Sequence, residues 1–146
     1  MKRFMIPLIC LALVLSVIEL CSKQVKPSTS VLKITDGKSV VNISIPTLPK
    51  QMDRKVKARR GSQWQGMYLS KLLTNNGYNL KKYHNCILVA RDGMRVTIPI
   101  EEITDDNALI TFAKEKKSMG KDLKLVMLQD TFEQRWLKYI NQIILE

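Results

Sequence analysis

The chain is poor in the residues on which disulfide and metal chemistry depend. Its 146 residues include three cysteines and one histidine. Cys10 and Cys21 lie within or beside an apolar N-terminal segment, so only Cys86 falls in the rest of the chain and a disulfide framework is excluded. His84 and Cys86 together offer two ligands, which is too few for a zinc site.

Motifs for phosphate binding and hydrolysis are also missing. The six glycines are scattered, so the sequence contains no glycine-rich phosphate loop. His84 has no accompanying serine at a strand-to-helix turn, which leaves a hydrolytic triad without support. Four acidic residues share one polar turn, where solvation or helix capping explains them better than acid–base catalysis. These residues are Glu101, Glu102, Asp105 and Asp106.

Positive charge is abundant: 24 Lys and Arg stand against 13 Asp and Glu, a formal net charge of +11. Such a charge attracts anions, and it equally suits a soluble protein with a basic surface. The positive charge is concentrated in residues 50–60. We predict that they form a solvated loop or edge strand, or alternatively an anion-binding rim. This run contains no aromatic residue, which argues against single-stranded nucleic acid as a partner. Its cations are Lys50, Arg54, Lys55, Lys57, Arg59 and Arg60.

The first twenty residues have the layout of a secretory leader. Lys2 and Arg3 precede an apolar stretch over residues 4–18, which is short for a membrane-spanning helix. We therefore predict a signal peptide over residues 1–20, a flexible tether over 21–30 and one domain over 31–146. The protein is expected to be exported to the periplasm or cell envelope.

Cys21 raises the alternative of a bacterial lipoprotein, in which that cysteine is acylated after cleavage. Glu19 and Leu20 match poorly the small residues that lipoprotein signals prefer at these positions. We expect membrane attachment only if Cys21 is lipidated or the leader is retained.

Strand patterns predominate in residues 31–146. Two hairpins are predicted around the Asp36-Gly37 and Asp92-Gly93 turns. Leucines on one face of residues 64–77, followed by Gly77, predict the main helix. The pattern therefore favours an α+β domain with mainly antiparallel sheets and one main helix. The strands are predicted at residues 31–35, 40–45, 85–91, 94–98, 108–113, 123–128 and 139–145.

Several motifs occur in the order found in a known family. Trp64-Gln65-Gly66, followed by Leu69, Leu72 and Leu73, resembles the Trp-x-Gly-hydrophobic-x-Leu-x-x-Leu-Leu signature of the oxidoreductase molybdopterin-binding domain. This is the pterin domain of the sulfite oxidase family. The Asp92-Gly93 turn resembles that family's Asp-Gly-aromatic hairpin, and residues 135–140 resemble its closing Arg-Trp-Val-Lys-x-Ile motif. The resemblance extends over residues 31–146 and depends on the collinear order of these pieces.

The resemblance implies a compact domain of the sulfite oxidase molybdopterin-binding type, similar to small exported bacterial members described as pterin-binding. Two departures bear on function. The family's enzymes carry a cysteine before the Trp-x-Gly motif, whose thiolate binds molybdenum, and residues 31–64 contain none. Cys86 follows the motif and cannot take that role. Lys124 stands where the family has an arginine, and lysine cannot make bidentate phosphate contacts.

We therefore expect an exported protein that binds molybdopterin or another pterin, without catalysis and without a metal ligand from this chain. Trp64 is expected either to stack on the planar ligand or to pack in the core. One alternative is a molybdopterin-dependent oxidoreductase, or a subunit of one, with a redox partner. Another is a basic envelope-binding or scaffold domain without a small-molecule ligand. The candidate cofactor-binding residues are Trp64, Lys57, Arg59, Arg60, Arg135 and Lys138.

Overall fold

The computed structural model describes residues 31–114, 117–118 and 122–146. The predicted signal peptide and tether lie outside the described residues. Two α-helices are present in the described part, α1 (Leu69–Asn75) and α2 (Ile100–Thr104), together with 3-10 helices at Ile45–Gln51, Leu80–Lys82 and Glu133–Arg135. The strands are β1 (Val31–Thr35), β2 (Val40–Ser44), β3 (Arg54–Lys57), β4 (Gln63–Tyr68), β5 (Asn85–Ala90), β6 (Arg95–Pro99), β7 (Ala108–Lys114), β8 (Lys117–Ser118), β9 (Lys124–Met127), β10 (Leu137–Lys138) and β11 (Ile140–Leu145).

The first sheet has five strands in the order β2-β1-β11-β5-β6. It contains both predicted hairpins, which are confirmed. Asp36 closes the β1–β2 turn because its Oδ1 accepts hydrogen bonds from the backbone N–H groups of Lys38 (3.0 Å) and Ser39 (2.7 Å). Gly93 lies in the β5–β6 turn with a φ of +88°, a conformation that favours glycine.

The second sheet has the order β10-β9-β7-β4-β3, and β8 pairs with β7. β1 and β11 pair in parallel, and every other pairing between described strands is antiparallel. The prediction of an α+β domain with mainly antiparallel sheets is therefore confirmed. β3 is an edge strand with mostly exposed side chains, as one of the two interpretations of residues 50–60 predicted.

The predicted helix over residues 64–77 is wrong in its first five residues. Residues 64–68 belong to β4, which pairs with β3 on one side and β7 on the other, and α1 begins only at Leu69. Aromatic residues such as Trp64 and Tyr68 favour strands, and here the pairing with two strands decides between the two patterns. The predicted stop at Gly77 is confirmed: its N–H bonds to the Thr74 carbonyl group at 3.0 Å.

The main core lies where the inner faces of both sheets meet the two helices. It includes Leu72 of α1, Ile103 of α2, Leu88 of β5 and Ile110 of β7, all at most 1% exposed. Strand alternation assigns the other side chains of β7 and β9 to the opposite face of the six-stranded sheet, which we call the outer face. None of the helices in the described residues is long and apolar enough to cross a membrane.

Candidate functional site

Gly66 marks a close approach between β4 and β7. The register of this pair shifts between Gln65 and Gly66, where strand β4 has a bulge or irregularity. A Cβ atom at position 66 would overlap the carbonyl oxygen of Ile110 and lie 3.1 Å from the Cβ of Thr111. Only glycine fits here, which gives a physical reason for the glycine of the Trp-x-Gly motif.

The β3–β4 hairpin packs against the outer face of its own sheet and forms a second, smaller core. The Arg59 N–H, at the tip of this hairpin, donates to the Leu128 carbonyl group just beyond β9 at 2.7 Å. The packing is apolar and removes these side chains from water. The buried members are Ala58, Trp64, Leu109, Val126 and Leu128, with Val56, Tyr68 and Trp136 partly buried beside them.

Lys124 lies between two tryptophans in this region. Its ammonium group is 4.6 Å from the ring centroids of both Trp64 and Trp136, the range of a cation–π interaction. The two rings meet edge to face with centroids 5.5 Å apart. Trp64 is 4% exposed and Lys124 5% exposed. Trp64 therefore packs in a core and presents no ring face to solvent in this conformation.

Both indole N–H groups of this cluster have hydrogen-bond acceptors. Trp64 Nε1 donates to Ser62 Oγ at 3.1 Å, and Trp136 Nε1 donates to the Met127 carbonyl oxygen at 3.2 Å. These bonds fix each ring against the outer face, since a buried donor left unpaired is costly. The cluster thus forms the packed contact between the hairpin and the outer face.

The tip of the hairpin presents two arginines to solvent. The Gly61 N–H donates to the Ala58 carbonyl group at 2.8 Å, and Gly61 has a φ of +81°, so the turn depends on glycine. Arg59 and Arg60 occupy the two central positions and are exposed. Arg60 Nη1 lies 3.9 Å from Glu133 Oε1, a long pair between two half-exposed side chains.

Lys57 and Lys138 are both exposed but lie on different faces. Val56 is the cross-strand partner of Trp64, so alternation places Lys57 on the face opposite to Trp64. Lys138 is the cross-strand partner of Lys124 and shares the outer face with it. Of the two lysines, the structure therefore brings Lys138 to the side of Trp64.

Arg135 is held within the protein by two carboxylates. It donates to both oxygens of Asp130, at 2.9 and 2.5 Å, and to Glu102 Oε1 at 2.8 Å. The hydrogen bonds that Arg135 donates to Asp130 and then to Glu102 raise the pKa of Arg135 above its ordinary value. The hydrogen bond from Arg135 in turn lowers the pKa of Glu102. The guanidinium group of Arg135 thus links the loop after β9 to α2.

The Cys86 thiol lies in the main core. It is fully buried, and burial raises its pKa to about 12, so the thiol stays protonated at neutral pH. Within the described part of the chain, no three His, Cys, Asp or Glu side chains are grouped so that they could hold a metal ion. A thiolate ligand for molybdenum is not available at Cys86.

The structure brings together four of the six predicted site residues on the side of the outer face: Arg59 and Arg60 at the hairpin tip, Trp64 beneath it, and Lys138 on β10. Lys57 faces the other way, and Arg135 is bound by carboxylates. The sequence draws attention to Lys124 only through the family resemblance, which has an arginine at this place. Its position between two rings depends on three separate strands and loops, for which the sequence carries no local signal.

Comparison with protein-family models and with curated proteins gives no match to this chain.

Proposed function

We propose that residues 31–146 form a non-catalytic binding domain of the molybdopterin-binding type, whose ligand is a pterin or a planar anion of similar size. The observation that supports this most directly is the hairpin tip, which presents Arg59 and Arg60 to solvent next to the buried Trp64 cluster. The guanidinium groups of these residues would bind the anionic part of the ligand.

Arginine suits this role because its planar fork can bind a phosphate or carboxylate through two hydrogen bonds. Arg59 forms no ion pair with any described residue, and the pair of Arg60 with Glu133 is long and solvated. Both side chains are therefore available to an anion, and the net charge of +11 raises the local concentration of anions around them. Lys138 would add a third cation on the same side.

The residues present do not fit a molybdenum centre of the family's type. That centre needs a thiolate before the Trp-x-Gly motif, and the described cysteine, Cys86, is a buried, protonated thiol of the main core. We therefore propose pterin binding without a metal ligand from this chain, and assign no redox step to it.

The full chain, purified from a bacterial host that synthesises molybdopterin, tests this proposal. Bound metal is measured by elemental analysis and bound pterin by fluorescence after oxidative release. We expect pterin near one equivalent and no stoichiometric molybdenum. Stoichiometric metal together with pterin would support the oxidoreductase alternative, and absence of both would overturn the proposal.

A second candidate is a basic domain that binds acidic polymers of the cell envelope. It is favoured by the exposed lysines of edge strand β3, where Lys55 and Lys57 share one face with the glutamines of β4. Binding of this kind falls steeply with ionic strength, because it depends on exposed charges. A polymer affinity that persists in 0.5 M salt would contradict it.

A further inference from the structure

Phe132 is the most exposed large hydrophobic side chain in the described part of the chain, at 66% exposure. It lies in the loop between β9 and β10. Tyr139 is also exposed, at 44%, and the guanidinium carbon of Arg91 lies 5.1 Å from its ring centroid. Covering an apolar ring removes it from water, which is favourable, so Phe132 offers a contact surface to a planar partner.

The loop that carries Phe132 is held in place on both sides. Before it, the Leu128 N–H donates to the Asn107 carbonyl oxygen and the Gln129 N–H to Asn107 Oδ1, both at 2.8 Å. After it, Arg135 bonds to Asp130 and Glu102. These bonds hold both ends of the loop, so less backbone freedom is lost when a ligand binds to it.

The same loop meets the hairpin tip. Arg59 donates through its backbone to Leu128, and Arg60 lies 3.9 Å from Glu133, the residue that follows Phe132 in the chain. The loop that carries Phe132 and the hairpin tip that carries Arg59 and Arg60 therefore meet at one junction, and all three side chains are exposed. Trp64, in contrast, is buried with Lys124 against its ring.

We propose that Phe132 is the stacking platform for the planar ring of the ligand, while Arg59 and Arg60 bind its anionic group. This inference rests on the proposed function and assigns its aromatic contact to a residue other than Trp64. Stacking of a planar heterocycle on one exposed ring is tolerant of ring identity, so tyrosine or tryptophan at position 132 should serve as well. Glu133 competes with the ligand anion for Arg60.

The test is a titration of the full chain with pterin-6-carboxylate, followed by fluorescence anisotropy. Phe132→Ala should weaken binding about tenfold, and Phe132→Trp should stay within about twofold of the wild type. Arg59→Ala should weaken it by a similar factor. Glu133→Gln should tighten binding about threefold, because it removes a carboxylate near Arg60 that repels the anionic ligand.

Met94→Ala is the matched control, since Met94 is also an exposed apolar side chain, at 61%, but lies on the β5–β6 turn of the other sheet. It should leave the affinity unchanged. If the wild type binds the pterin and Phe132→Ala binds it equally well, the platform assignment is wrong while the proposed function stands. If the wild type does not bind at all, the proposed function fails, and the inference fails with it.

Discussion

Gly66 of β4 passes against the backbone of Ile110 in β7 so closely that a Cβ atom at position 66 would overlap the Ile110 carbonyl oxygen. The obstacle is backbone in the middle of a paired strand, and cannot move aside as the end of a flexible side chain can. The contact lies two residues from Trp64, so the position of the hairpin and the arginines at its tip depends on it.

The first prediction concerns this contact. Gly66→Ala should lower the free energy of unfolding by about 1–3 kcal/mol, as overpacking does in close-packed interiors. It should also weaken pterin binding, since the hairpin must shift. Thr97→Ala, an exposed position of β6, serves as the control and should change stability by less than about 0.5 kcal/mol. Urea unfolding followed by tryptophan fluorescence measures the stability of both variants. A Gly66→Ala variant as stable as the wild type would disprove the close approach.

The second prediction concerns Lys124. Lys124→Met keeps much of the side-chain volume but removes the cation that faces Trp64 and Trp136, and should cost about 2 kcal/mol of stability. Lys124→Arg should lose less stability than Lys124→Met, because a guanidinium group also binds over aromatic rings. Lys138→Met is the matched control: it replaces the exposed cross-strand neighbour and should cost less than about 0.5 kcal/mol. Equal losses for both lysines would refute the cation–π assignment.

Local patterns predicted most of the strands and both hairpins of the first sheet. Asp36-Gly37 and Asp92-Gly93 are turns whose geometry is set within a few residues, so the sequence is sufficient there. The sequence predicts helix for residues 64–68 because they adjoin Leu69, Leu72 and Leu73, which fall on one helical face. Their strand conformation comes from pairing with β7, about 45 residues further along the chain, and no local pattern reports that.

The candidate site was less accessible to sequence reasoning. The cations of the hairpin were found because they cluster in the sequence. The sequence does not show that Arg135 bonds to carboxylates, because Glu102 lies 33 residues away. Phe132 carries no signal in the sequence either: an isolated aromatic residue is buried in most contexts, and its exposure depends on how the loop is pinned.

The third prediction concerns Arg135. Arg135→Met should lower the free energy of unfolding by about 1–2 kcal/mol, because it leaves Asp130 and Glu102 without their shared partner in a half-buried setting. Arg60→Met, which breaks only the long, solvated pair with Glu133, should cost less than about 1 kcal/mol. Denaturant unfolding of the two variants compares them, and a smaller loss for Arg135→Met would contradict its structural role.

The fourth prediction concerns acid stability. Hydrogen bonds from the Ser39 backbone, the Tyr83 hydroxyl group and the Lys38 backbone hold the pKa of Asp36 well below its usual range. Because the folded pKa is depressed, this group stabilises the fold above its ordinary pKa of about 4 and stops doing so as pH falls through the folded value. In Asp36→Asn the free energy of unfolding should therefore fall less steeply between pH 5 and pH 2. Tyr83→Phe should reduce this slope in part. Unfolding by urea at several pH values measures the slopes, and a slope unchanged by both variants would contradict this.

The last prediction concerns the reactivity of Cys86, on which the exclusion of a metal-binding thiolate depends. In a Cys10→Ser, Cys21→Ser chain the thiol of Cys86 is the single target for a disulfide reagent. Its burial and its pKa of about 12 should make modification at pH 8 at least about 100-fold slower than in the unfolded chain. Thr97→Cys, added in the same background, places a thiol at an exposed position of β6 and should react at once. If Cys86 reacts as fast as that control without denaturant, the thiol is accessible to metals, and the oxidoreductase alternative gains support over pterin binding alone.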